Sequence, residues 1–131
     1  MKKIVGLLSL LLLLGACSNS QKKEPQLVGN SKDDHGCLLS AGYQWSEALK
    51  DCVRIWEVGE KLLNVDDDMF VIFSPDSSVA EVFVGKGEKY MCKRTSDGTL
   101  WKSPKKEVSV ALAHGSLSAH FKKKVFSQEA Q

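Results

Sequence analysis

The second half of the chain alternates apolar and polar residues in short runs, and this two-residue period is typical of β-strands. Val108, Val110 and Leu112, for example, are separated by small residues, which places the three large side chains on one strand face. The strand-forming runs are 69–73, 79–84, 89–94, 99–101, 108–112 and 117–121. Turn-forming residues separate them. We therefore predict a mainly β fold, a small antiparallel meander or partly closed barrel with an irregular N-terminal cap.

The large apolar residues of these runs define the predicted core. We expect it to include Trp45, Phe70, Ile72, Val82, Trp101, Val110 and Phe121. Few segments have a helical period. The stretch 46–51 predicts a single helical turn with Ser46 as its N-cap.

The first residues have the order of an export signal. Lys2 and Lys3 precede an apolar run over 4–14, which is shorter than the roughly 20 residues that a membrane-spanning helix needs. A basic start, a short apolar middle and small residues before a cleavage point are typical of a signal peptide. The chain is therefore predicted to be exported.

The end of this signal, Leu14-Gly15-Ala16-Cys17, resembles the lipobox of bacterial lipoproteins. The resemblance implies cleavage before Cys17 and lipid on its thiol; two or more acyl chains are what stable anchoring requires. Ser18 follows the cysteine, which by the usual sorting rule favours the outer membrane, facing either the periplasm or the outside. We expect a signal peptide at 1–16, a polar flexible tether at 17–34, one β-rich domain at 35–127 and a tail at 128–131.

The formal net charge of +2 comes from Lys2 and Lys3, so the mature chain is close to neutral. Acidic residues dominate from Glu24 to Glu81, and basic residues dominate from Lys86 to Lys124. A basic half can steer acidic partners or sit on anionic headgroups. The alternative is a set of solvated strand faces and loops.

Three cysteines remain beyond the signal, in an oxidising compartment. An odd number leaves one over or makes a pair between molecules. Cys37 and Cys52 are the best pair because they are close in sequence, and closing a loop of about 15 residues stabilises by roughly 3 kcal/mol in the chain-entropy model. Cys92 lies in a predicted strand and is predicted to be a buried, inert thiol.

The densest motif runs over 36–47 and 52–57, and it resembles the module G-C-x-x-S-A-G-Y-x-W-[CS]-E…C-x-R-x-[WF]-E of small secreted bacterial proteins. The segments 59–62, 73–76 and 80–83 match the G-x-x-L, F-S-x-D and A-E-[VL]-F pieces of a Bacteroidetes-type lipoprotein family. That family has no assigned activity, so the resemblance implies none. Members with four cysteines carry two more, at the place of Ser46 and after the W-E. Their joint absence here supports Cys37–Cys52 as the remaining bridge.

The same motif contains the candidate binding surface: Tyr43, Trp45, Arg54 and Trp56. Tyr43 and Trp45 alternate and share one face of an extended segment. Gly42 permits a positive φ just before them, and Ile55 is expected on the side opposite Arg54 and Trp56. Arg54 is expected to pair with Glu47 or Glu57, or to stack on a tryptophan. These residues either pack the domain or form a platform for a glycan or a peptide.

No pattern of an enzyme is present: no Ser-His-Asp order, paired-carboxylate site or phosphate loop. We expect no metal and no cofactor, because Asp66-Asp67-Asp68 lacks the spacing of a calcium loop and the histidines lack zinc-ligand spacing. The prediction is a membrane-anchored envelope lipoprotein with a non-catalytic binding or structural domain, an envelope protein or glycan as partner, and no nucleic acid. The alternative is a protein that binds a hydrolase, broadly like the membrane-bound inhibitors of c-type lysozyme, on the basis of fold class alone.

Overall fold

The computed structural model describes residues 31–85 and 87–128. The predicted signal peptide, Cys17, tether residues 18–30 and tail residues 129–131 lie outside the described residues. Within them the elements are a 3-10 helix at Leu39–Ala41, a helix α1 at Ile55–Val58, and strands β1 Gln44–Ser46, β2 Asp51–Val53, β3 Glu60–Leu63, β4 Asp68–Phe73, β5 Val79–Val84, β6 Glu88–Arg94, β7 Leu100–Lys102, β8 Val108–Ala113, β9 Ser116–Phe121 and β10 Lys124–Ser127.

Strands β3 to β10 form a closed antiparallel barrel in which each strand pairs with the next along the chain. The last strand, β10, pairs back with the first, β3, at Ser127 and Leu63. A closed barrel leaves no unpaired edge. This confirms the predicted mainly β class and shows the barrel to be closed.

The barrel interior is filled by side chains, because inward positions alternate along each strand. Its buried residues are Leu62, Met69, Val71, Ala80, Val82, Val84, Cys92, Trp101, Val108, Val110, Leu117, Ala119, Phe121 and Phe126. Burying each large apolar side chain stabilises the fold by about 1.5–3 kcal/mol.

A second, smaller apolar cluster lies outside the barrel, under the N-terminal segment that we call the cap (residues 31–58). Ile72 and Phe83 point outward from β4 and β5, and pack against Ala48 and Val53 of the cap. Phe70 and Trp45 were also predicted in the core, and both are only half-buried. Phe70 points outward from β4 and packs against this second cluster. The prediction is wrong for Trp45, which lies on the outer side of the cap.

The cap differs from the sequence prediction in two places. Residues 55–58 are helical and not extended. Residues 31–34, assigned to the tether by composition, are part of the cap, where Leu39 N–H donates to Ser31 O.

Two local predictions for the cap are confirmed. One helical turn closes inside the β1–β2 hairpin: Lys50 N–H donates to Ser46 O at 2.8 Å, and the Ser46 hydroxyl accepts the N–H of Leu49 at 3.1 Å, as an N-cap does. Ile55 packs against the second apolar cluster while Trp56 is exposed, so the two lie on opposite sides.

Candidate functional site

The β1–β2 hairpin has one face toward the barrel and one face away from it. Ser46 and Val53 are buried on the inner face. Trp45 pairs with Cys52 across the hairpin. Two positions along, just beyond the paired residues, Arg54 lies over the Tyr43 ring. Because paired residues share a sheet face, the hairpin brings three of the four predicted surface residues together.

Arg54 is held in place by three contacts. Its guanidinium carbon lies 4.5 Å from the centre of the Tyr43 ring. Its Nε donates to Ala41 O at 3.0 Å, and a terminal nitrogen pairs with Glu57 at 3.1 Å. Of the expected partners, the structure therefore selects Glu57, and the ring beneath Arg54 is tyrosine and not tryptophan.

Trp45 is stacked and hydrogen-bonded. Its ring lies parallel to that of His35, with 4.2 Å between the centroids. Its indole N–H donates to Glu47 Oε1 at 3.0 Å, and Glu47 is paired in turn with Lys50 at 2.7 Å. The hydrogen bond from Lys50 lowers the pKa of Glu47, so the acceptor stays ionised at neutral pH.

Trp56 is the most exposed aromatic residue of this group, with 54% of its surface accessible. Its ring covers Gly42, whose φ of +83° confirms the predicted positive value. A Cβ at Gly42 would lie 2.3 Å from the ring atom Cη2. Glycine is thus needed there both for the backbone and for the close approach of the ring. We call Tyr43, Trp45, Arg54 and Trp56 the aromatic surface.

A disulfide joins Cys37 to Cys52, the residue paired with Trp45, which confirms the predicted pair. It links the 3-10 segment to β2. Asp33 adds a second tie, because its Oδ1 accepts the N–H groups of His35 and Cys37, both at 2.9 Å. The aromatic residues therefore stand on a cross-linked base.

The cap is fastened to the barrel by Glu81, a residue that the sequence reasoning did not single out. Glu81 is fully buried on the outward face of β5. Its carboxylate accepts from the Ser46 hydroxyl at 2.6 Å and from the N–H groups of Glu47 and Ala48 at 3.1 and 3.2 Å. Lys89 Nζ lies 3.3 Å away. The sequence feature that could have identified Glu81 is its position as an acidic residue inside the apolar run 79–84, because a buried charge needs partners.

Ion pairs connect the acidic run of the chain to basic residues that are distant in sequence or on the next strand. The acidic run Asp66–Asp67–Asp68 lies at the β3–β4 connection, and barrel closure brings the start of β10 beside it. Lys124 pairs with Asp67, and Lys61 lies 3.6 Å from Asp68. These exposed pairs contribute little stability, but they give two of the three aspartates a basic neighbour.

Among residues 31–85 and 87–128, no group of three or more His, Cys, Asp or Glu side chains is placed to hold a metal ion. Over the same residues, no helix is both long and apolar enough to cross a membrane. Comparison with protein-family models, with curated proteins and with solved structures gives no match for this chain. The resemblance to a lipoprotein family therefore stays a prediction, and the site is interpreted from its own geometry.

Cys92 provides a chemical test of the cysteine assignment. It is a free cysteine inside the barrel, and burial raises the pKa of its thiol to about 11. In the mature chain carrying Cys17→Ser, we expect one thiol per chain to react with iodoacetamide in denaturant without reductant, and almost none in native buffer, because the thiolate is the reactive form. Mass spectrometry of non-reduced peptides should join Cys37 to Cys52. A peptide joining Cys92 to either of them would contradict the assignment.

Proposed function

We propose that this chain is a membrane-tethered lipoprotein of the cell envelope whose barrel carries a non-catalytic binding module, with the aromatic surface as its binding site. The observation that carries the proposal is the cap itself. Three aromatic rings and an arginine are held on a cross-linked base, and one of the two tryptophans, Trp56, is more than half exposed.

The partner we favour is an envelope glycan. The flat apolar faces of sugar rings stack on tryptophan and tyrosine, whose polar tips hydrogen-bond to hydroxyl groups. Tyr43, Trp45 and Arg54 are already fixed by contacts within the cap. Little side-chain entropy is then lost on binding, which is the usual advantage of a preorganised surface.

Trp56→Ala is expected to weaken binding of the lipid-free mature chain (Cys17→Ser) to insoluble peptidoglycan by about tenfold or more, as loss of a central aromatic contact does. Co-sedimentation measures this. Val125→Ala is the matched control, because Val125 is equally exposed but lies on β10. If the two variants pellet alike, the aromatic surface is not the glycan site.

A hydrolase inhibitor is the second candidate, and one observation favours it. Ser40 is exposed in the 3-10 helix, and Arg54 donates to the carbonyl of the next residue, Ala41. Arg54 is therefore bound to the residue that follows Ser40, and a hydroxyl with a guanidinium is a pair of groups that a carboxylate in an enzyme cleft accepts. Inhibition of lysozyme by the mature chain, lost in Arg54→Gln, would favour this candidate over glycan binding.

Lipidation of Cys17 is the feature of the proposal that anchors the chain to a membrane, and it can be tested directly. Metabolic labelling with a fatty-acid probe should mark the wild-type protein and not Cys17→Ala, because the thiol is the acceptor that the lipobox resemblance implies. The Cys17→Ala protein should also leave the membrane fraction, since no other anchor is proposed. Equal labelling of both proteins would show that the lipid is elsewhere or absent.

A further inference from the structure

A cavity of about 330 Å³ opens at one end of the barrel, away from the aromatic surface. It lies at the end that carries the β4–β5, β6–β7 and β8–β9 turns. Its volume is at the lower end of the range found for small-molecule sites, and the mouths of β-barrels are common places for them. Strands β3, β4 and β6 to β9 each contribute a lining residue at this end.

The floor of the cavity is apolar and fixed. Trp101 is nearly fully buried and donates its indole N–H to Ser77 O at 2.9 Å. Phe73 packs against it edge-on, with 4.9 Å between the ring centroids. Leu112 and Leu117 line the wall. Such a floor favours an apolar body in the ligand.

Two opposite charges stand above this floor. Arg94 pairs in register with Trp101, and its guanidinium lies 5.2 Å from the tryptophan ring centre. Its Nε donates to Gly98 O at 3.1 Å, and no described acidic group lies within ion-pair distance of it. Glu60, two positions from the buried Leu62, also lines the cavity. β3 and β6 are separated by two strands around the ring of eight, so the two charges stand on different sides of the mouth.

The β4–β5 and β6–β7 turns form part of the rim of the cavity, and side-chain hydrogen bonds hold both turns. Asp76 accepts from Ser74 and Ser78, and Asp97 accepts from Thr95 and Thr99. The hydrogen bonds to these turn residues lower the pKa of each aspartate to about 2. Both aspartates are therefore ionised and disfavour a ligand with net negative charge.

We infer that this mouth binds a small zwitterion with an apolar body, its carboxylate toward Arg94 and its ammonium group toward Glu60. A ligand with only a carboxylate would be repelled by Glu60 and by the rim aspartates. A ligand with only an amine would be repelled by Arg94. A ligand with both groups satisfies the two opposite charges and remains neutral overall. This site is separate from the aromatic surface, so it does not depend on the function proposed there.

The three tryptophans allow a direct test in one ¹H–¹⁵N spectrum of the mature chain carrying Cys17→Ser. Only Trp101 lines the mouth, while Trp45 and Trp56 belong to the cap. Titration with 8-aminooctanoate should move the indole signal of Trp101 saturably and leave the other two unchanged. Octanoate and octylamine, which each lack one charge, should bind at least about fivefold more weakly.

Arg94→Gln and Glu60→Gln should each weaken the response to 8-aminooctanoate by about fivefold. The matched control is Lys93→Gln, which removes the same charge as Arg94→Gln from the neighbouring, outward-facing position of β6; its titration should match that of wild type. The inference is overturned if Trp101 does not respond. It is also overturned if octanoate binds as tightly as the zwitterion, or if Arg94→Gln titrates like Lys93→Gln.

Discussion

Glu81→Ala is expected to destabilise the protein by about 3–5 kcal/mol, the cost usually found when one partner of a buried charged network is removed. The substitution removes the acceptor of the buried Ser46 hydroxyl and Ala48 N–H and of the half-buried Glu47 N–H. Each buried group left without a partner costs about 1–3 kcal/mol. A loss of this size is a large part of the 5–15 kcal/mol that stabilises a typical domain.

Urea unfolding followed by circular dichroism measures this loss, with Glu107→Ala as the control. Glu107 is an exposed acidic residue of the β7–β8 turn, so its replacement should change the free energy of unfolding by less than about 0.5 kcal/mol. Ser46→Ala should lie between the two, because it removes one donor and leaves the carboxylate its backbone partners. If Glu81→Ala and Glu107→Ala unfold at the same urea concentration, the carboxylate does not fasten the cap.

Val110→Asp is expected to abolish the fold. Val110 is fully buried in the barrel interior, and replacing it forfeits about 1.5–3 kcal/mol of apolar burial. The new carboxylate would have no partner there, which costs several kcal/mol more. The sum is comparable to the whole stability of a small domain.

Ser109→Asp is the matched control, one residue away on the outward face of β8. Ser109 pairs in register with Lys102 and His120. A negative charge at position 109 would therefore lie beside the positive charge of Lys102 and remain exposed to water. We expect its far-ultraviolet spectrum and melting temperature to stay near those of wild type, while Val110→Asp shows the spectrum of an unfolded chain. Two variants that melt alike would mean that the strand register is wrong.

Six of the eight barrel strands could be predicted from alternation and turns, but β3 and β10 were not. Both are four residues long and carry charged residues, so their period is too short to recognise. They are nevertheless the strands that close the barrel. Closure depends on a pairing between the two ends of the meander, and no local pattern encodes a contact of that sequence separation.

The candidate surface was predicted in part. Alternation placed Tyr43 and Trp45 together, and spacing suggested the disulfide. Two contacts could not be predicted: His35 stacks on Trp45, and Arg54 pairs with Glu57 and not with Glu47. Both depend on how the segments joined by the disulfide pack against each other. The mouth cavity was missed entirely, since its lining residues are spread from β3 to the end of the described chain.

The sequence by itself determined the β class, the turns, the inward positions of most strands and the pairing of Cys37 with Cys52, because each depends on local period, turn chemistry or proximity. Only the tertiary structure decided that the meander closes, that Glu81 fastens the cap, and that Lys124 pairs with Asp67. These features join residues distant in sequence. They follow from packing the whole chain and are absent from any single segment.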